Sequence, residues 1–176
     1  MSKAGKCRGP VVLDTSFLIT LASMKRPHHG AAKRYFAFWA ESRIPMFLPA
    51  ICAAEYLALD AAIPPYILKH VVVKPFTYED AECAARLLRE GILTRLPGED
   101  GKTPSRSIFK DDVKIIGSAI ALHAAAIATE DEHTMCKYVK AASEAMLVAR
   151  GLVALSISGG FNLGLAELSS PDLGIV

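Results

Sequence analysis

No apolar run in this sequence approaches the roughly 18 residues that a helix needs to cross a bilayer, which removes the helical membrane classes. The basic opening MSKAGKCRGP is followed by no small-residue cleavage site, and Asp14 interrupts the next apolar stretch. A secretory leader is therefore not expected, and the cytoplasm is the default location. Cysteine is sparse. Cys7, Cys52, Cys83 and Cys136 show neither C-x-x-C pairing nor a histidine at zinc-ligand spacing, so reduced thiols are the expectation. A net charge of +2 does not by itself argue for nucleic acid, because a phosphate-binding footprint needs a local cluster. Internal repeats and low-complexity tracts are missing as well.

With 176 residues, 52% of them hydrophobic and 22% charged, the chain suits one globular α/β domain with a full core. Five short apolar runs stand out: 11–13, 46–48, 71–73, 126–128 and 152–157. Their lack of period-two alternation fits strands covered on both faces, as in a parallel sheet. Helical patterns lie between them at about 28–42, 50–61, 77–93, 108–124 and 132–149. This alternation predicts a doubly wound three-layer α/β/α sandwich with about five parallel strands. The domain is expected over 10–157, with a flexible N-terminus at 1–9, a Gly- and Ser-rich tail at 158–176, and a long exposed loop at 96–107.

Four carboxylates stand where apolar residues would be expected. Asp14 follows the first strand directly, in the crevice beyond the strand ends where open parallel sheets bind ligands. The alternative is a plain helix N-cap. Glu55 has Ile51, Cys52, Ala58 and Leu59 at i±3 and i±4, which centres it on an apolar stripe unless the helix is misphased enough for it to reach water. Asp112 lies on the stripe of Ile115, Ile116, Ala119, Ile120 and His123, whereas Asp111 falls off it and suits an N-cap or a solvent group. Here the alternative is that both acids complement the helix dipole. Glu130 and Asp131 end the fourth strand after Thr129, echoing Asp14 on the first. If strands one and four are neighbours, as in an order such as 3-2-1-4-5, these acids share one cleft. Crowded acids repel, and a hard divalent ion on all-oxygen ligands, Mg²⁺ or Mn²⁺, resolves the conflict.

VVLDTSFLI, AAEYL, DDVKIIGSAIA and ATED, in that order, resemble the four acidic motifs of PIN-domain ribonucleases over about residues 10–157. The resemblance implies the 3-2-1-4-5 sheet and metal-assisted hydrolysis of RNA phosphodiesters, with Asp14, Glu55, Asp112 and Asp131 as catalytic metal ligands. It makes Ser16 and Thr129 the supporting hydroxyls. The interval between Asp112 and Asp131 is slightly stretched around 123–126, which leaves Glu130 open as the fourth acid, and the 96–107 loop exceeds what a compact member needs. Within the family a VapC-like toxin with an antitoxin partner suits a small single-domain chain, and PIN domains commonly form homodimers through their early helices.

Lys110 is the nearest basic residue in sequence to the expected site and a possible phosphate contact, and KRPHHG at 25–30 offers Lys25, Arg26, His28 and His29 near the cleft. For both, solvent exposure is the plainer reading. Tyr35, Phe36, Phe38 and Trp39 are expected in the core or a dimer face, ahead of stacking on bases. A catalytically inactive PIN-fold scaffold is the alternative function, against which the retention of all four acids speaks. A haloacid dehalogenase-type phosphatase also places Asp after its first strand but needs a second Asp where this sequence has Ser16.

Overall fold

Val11, Val12 and Leu13 are fully buried, and they form the middle strand of the sheet. In the computed structural model, residues 9–91, 106–148 and 151–167 are described, the side chains of 106–110 excepted. The N-terminal eight residues, most of the expected 96–107 loop, the tail beyond Glu167 and the Lys110 side chain lie outside that set.

The elements run β1 (Val11–Leu13), α1 (Thr15–Ala22), α2 (His29–Glu41), β2 (Met46–Pro49), α3 (Ala50–Leu57), α4 (Pro65–Leu68), β3 (Val71–Lys74), α5 (Tyr78–Glu90), α6 (Arg106–Ala121), β4 (Ala126–Thr129), α7 (Met135–Glu144), β5 (Val153–Ser156) and α8 (Leu163–Ala166). The sheet order is β3-β2-β1-β4-β5 and every pairing is parallel. Val11 stands opposite both Met46 and Ala126, so all five strands point their C-terminal ends to the same side. The order reverses between β1 and β4, which opens a crevice there.

The α2 aromatics build the core rather than a free face. Tyr35 and Trp39 are fully buried and stacked at 5.5 Å between ring centroids, with Phe17 of α1 at 5.8 Å from Trp39. Beyond Ile157, where the expected domain ended, the chain continues to pack. Phe161 lies 4.8 Å from the Tyr35 ring, the Asn162 amide donates to the Tyr35 hydroxyl at 2.9 Å, and Ala166 of α8 is buried.

Several helix ends depart from the periodicity. α3 stops at Leu57, because Asp60 takes a left-handed φ of 57° and Pro64 and Pro65 follow. Ala58 and Leu59 are exposed in consequence, so Glu55 meets apolar neighbours only toward Ile51 and Cys52. α6 starts at Arg106, so Asp111 is no N-cap; its carboxylate instead takes Lys114 at 2.9 Å. His123, with φ 50°, lies past the end of α6 and is exposed, off the core stripe.

Behind the sheet, α5 is fixed by a capping box between Thr77 and Asp80, and the fully buried Asp80 also pairs with Lys74 at the end of β3. α6 crosses α5 at Gly117. A Cβ there would sit 2.8 Å from the Asp80 carbonyl oxygen and 2.9 Å from the Ala84 Cβ. Gly117→Ala is therefore expected to cost roughly 1–3 kcal/mol through overpacking, read as a lower urea midpoint at unchanged slope.

Candidate active site

The crevice between β1 and β4 begins with backbone geometry: the Asp14 amide donates to the Ala128 carbonyl at 3.0 Å, which carries the β1–β4 ladder to the acid itself. Asp14 holds the N-cap position of α1, yet its side chain caps nothing. Its Oδ2 instead accepts the Ser16 hydroxyl at 2.6 Å and the Thr129 hydroxyl at 2.8 Å. Each hydroxyl oxygen accepts in turn, Ser16 from the Glu130 amide and Thr129 from the Asp131 amide, both at 2.9 Å. Burial raises the Asp14 carboxyl above its ordinary value, and the hydrogen bonds from Ser16, Thr129 and the Thr15 amide oppose that shift.

The other acids converge from three more elements. Glu55 of α3 is half-buried and accepts the Thr15 hydroxyl. Asp131 is fixed in the turn after β4, its Oδ1 accepting the His133 and Thr134 amides at 2.9 and 2.8 Å. The Asp112 carboxyl of α6 has its pKa pushed up to about 8, by burial first and then by the charges of Asp14, Asp131 and Glu55, with Asp111 adding least. Its Oδ2 is buried without a hydrogen-bond partner among the described residues. The four acids thus occupy one electrostatic neighbourhood.

Glu130 does not join them. Its carboxylate turns to the Thr20 hydroxyl at 2.7 Å and to the Arg26 guanidinium, while Asp131 acts on both Asp14 and Asp112. Thr15 and Thr20 are contributors with no expected role, and Arg26, expected near the cleft with solvent exposure as the plainer reading, engages Glu130. A signal existed for Thr20, which lies one turn after Ser16 on α1 and so shares its face. Arg26 is brought in by the turn between α1 and α2, which leaves no periodic trace.

Among the described residues, no three acidic, histidine or cysteine side chains close to metal-cage distances. Mutual repulsion of carboxylates is consistent with that spacing, and the donor set, all oxygen with one orphaned buried Oδ2, fits a hard divalent cation. The Cys52 thiol beneath the cluster is raised well above its usual value by burial and by Asp14, so it stays protonated and is no nucleophile. A cavity of about 750 Å³ opens elsewhere, between α1, α2 and α4, lined by Leu21, Phe36 and Tyr66 and by none of the four acids.

The parallel 3-2-1-4-5 sheet, with its crevice at β1 and β4, defines a PIN-like α/β/α fold. More particularly, it is a VapC-like PIN fold. A chain of VapBC2 from Rickettsia felis, bound to a DNA fragment from their promoter, superposes with a TM-score of 0.53 at 13% identity, over 83% of this chain and 97% of that one. VapC20 of Mycobacterium tuberculosis, described as a Sarcin-Ricin loop cleaving toxin, gives 0.49 at 18% identity over 74% and 94% of the two chains. DNA-bound VapBC from Salmonella typhimurium gives 0.49 at 15% identity over 84% and 98%. No protein-family model matches the sequence, and no curated protein does.

The raised Asp112 carboxyl has a consequence for stability. It ionises near its ordinary value of 3.8 in the unfolded chain but only around 8 in the fold, so between those values the unfolded state binds fewer protons and stability falls as pH rises. In chelator, thermal melts from pH 5 to pH 8 are expected to show this decline, and Asp112→Asn is expected to flatten it. Parallel profiles for the two proteins would show that Asp112 does not carry the linkage.

Proposed function

We propose that the chain is a metal-dependent endoribonuclease that hydrolyses RNA phosphodiester bonds, acting as the toxin of a toxin–antitoxin pair. The observation that carries this reading is the unpartnered, buried Asp112 Oδ2 in the field of Asp14, Asp131 and Glu55. Such an arrangement is costly unless a cation completes it. Asp14, Glu55, Asp112 and Asp131 would hold Mg²⁺ or Mn²⁺, which when bound supplies a water nucleophilic at neutral pH and a counter-charge to the phosphate.

The chain's own groups orient that ligand set. Ser16 and Thr129 fix one oxygen of Asp14, Thr15 fixes one of Glu55, and two turn amides fix one of Asp131. The hydroxyls act as supports and not as nucleophiles, since the Ser16 and Thr129 protons are directed at Asp14. The VapBC2 structure that shares this fold is an assembly on promoter DNA, which supports an antitoxin partner for this chain. A cytoplasmic homodimer belongs to the same proposal.

The test is cleavage of labelled RNA by purified protein with Mn²⁺ or Mg²⁺. Asp14→Asn and Asp112→Asn are expected to fall to background, and EDTA to abolish cleavage in the wild type. Equal activity in wild type and variants, or activity that survives the chelator, would sink the proposal and favour a binding or scaffold module. Ser16→Ala is expected to retain metal-dependent cleavage reduced by roughly 10–100-fold, the usual cost of losing a group that orients a ligand.

A further inference from the structure

Four carboxylates make a poor landing site for a polyanion, so a strand of RNA needs a positive group beside them. The turn between α1 and α2 places one there. Arg26 is held by backbone bonds from its amide to the Ser23 carbonyl at 3.1 Å and from the His29 amide to its own carbonyl at 3.2 Å. Its guanidinium reaches across to β4, where Nη2 donates to Glu130 and Nε approaches the Thr20 hydroxyl at 3.4 Å. Thr20 is fully buried and itself donates to Glu130 at 2.7 Å, which fixes the carboxylate that fixes the arginine. The Glu130 amide bonds Ser16, and Ser16 bonds Asp14, so the guanidinium is tied to the acid cluster through three successive contacts.

Two facts distinguish this arginine from a plain surface ion pair. Its side chain is 45% exposed while that of Glu130 is 14% exposed, so the cation faces water from an anchored base. A guanidinium also carries five N–H donors in a fork, and Nη1 makes no bond among the described residues. An exposed ion pair contributes little to stability, whereas an Arg–phosphate contact is strong and geometrically specific.

We propose that Arg26 is a substrate-binding residue: its guanidinium takes a backbone phosphate of the RNA strand, and Glu130 with Thr20 orients it for that contact. This rests on the ribonuclease reading above. Holding Arg26 by a carboxylate on the residue beside Asp131 sets the bound phosphate in register with the acid cluster.

The experiment measures binding of a fluorescein-labelled single-stranded RNA by anisotropy over a range of salt concentrations, with cleavage followed in parallel. Arg26→Gln is expected to weaken binding by about tenfold and to reduce the slope of log affinity against log salt by about 0.7, the loss of one single-strand phosphate contact. Arg26→Lys is expected to keep the slope and recover part of the affinity. Glu130→Gln keeps an amide oxygen that can hold the guanidinium and removes only the competing negative charge, so it is expected to leave binding as tight or tighter. If Arg26→Gln leaves the slope unchanged, or if Glu130→Gln weakens binding as much, the arginine only anchors the turn and the proposal is overturned. Wild-type protein that binds no RNA also overturns it. Wild-type protein that binds RNA with the expected Arg26 dependence but does not cleave it removes the nuclease reading and leaves this one standing.

Discussion

A carboxylate buried at the C-terminal end of the central strand, held by hydroxyls and an amide where an ion pair would be expected, is the constraint on which the rest of the crevice depends. Asp14 is only 7% exposed, and burial works against its charge. Its anchoring is what joins β1 to β4 below the site: Thr129 bonds Asp14 and is bonded by the Asp131 amide, while Ser16 bonds Asp14 and is bonded by the Glu130 amide. Both donors are short and stiffly placed, one on the first turn of α1 and one at the last residue of β4. The position of one acid thereby determines the path of the chain that carries the next.

From that anchor the remaining elements add acids without adding compensation. α3 brings Glu55 beside Thr15, and α6 brings Asp112 over the same crevice from behind. Lys114 pairs with Asp111 on α6, Lys74 with Asp80 in the first turn of α5, and Arg26 with Glu130 at the edge of the crevice. The ion pairs among the described residues thus involve none of the four acids, and the crevice stays acidic. A like-charged cluster of this kind destabilises the empty fold and is tolerated at binding sites, where a ligand of opposite charge restores the balance.

The strands and their order were legible because a parallel sheet writes itself as unbroken apolar runs, and each expected run matches an observed strand to within a residue or two. Asp112 was legible as an acid out of place on an apolar stripe and Asp14 and Asp131 as acids at strand ends, whereas the stripe expected around Glu55 is apolar only on the Ile51 and Cys52 side. Helix ends were not. Asp60, His123 and Met146 take left-handed φ values after α3, α6 and α7, and such residues carry none of the signal that a glycine gives at that position. The choice between Glu130 and Asp131 was equally hidden, because it depends on Arg26 reaching over from a turn 104 positions away in the chain. The packing of Phe161 and Asn162 on Tyr35 escaped for the same reason, since a Gly-rich stretch has no periodicity to show which helix it will lie against.

The β1–β4 pairing also sets when in the life of the chain the crevice can exist. Thr129 lies 115 positions after the Asp14 it bonds, and β4 enters the sheet only after α6 has been made. During synthesis, β1 can first pair with β2, its neighbour in chain order, and the other side of β1 stays open until β4 emerges. A ribosome-bound chain short of residue 126 therefore carries Asp14, Ser16, Glu55 and Asp112 but neither Thr129, the second hydroxyl on Asp14, nor Asp131. Assembly of the crevice is a late event by topology alone, and a partly made chain cannot bring its acids together before β4 closes the sheet.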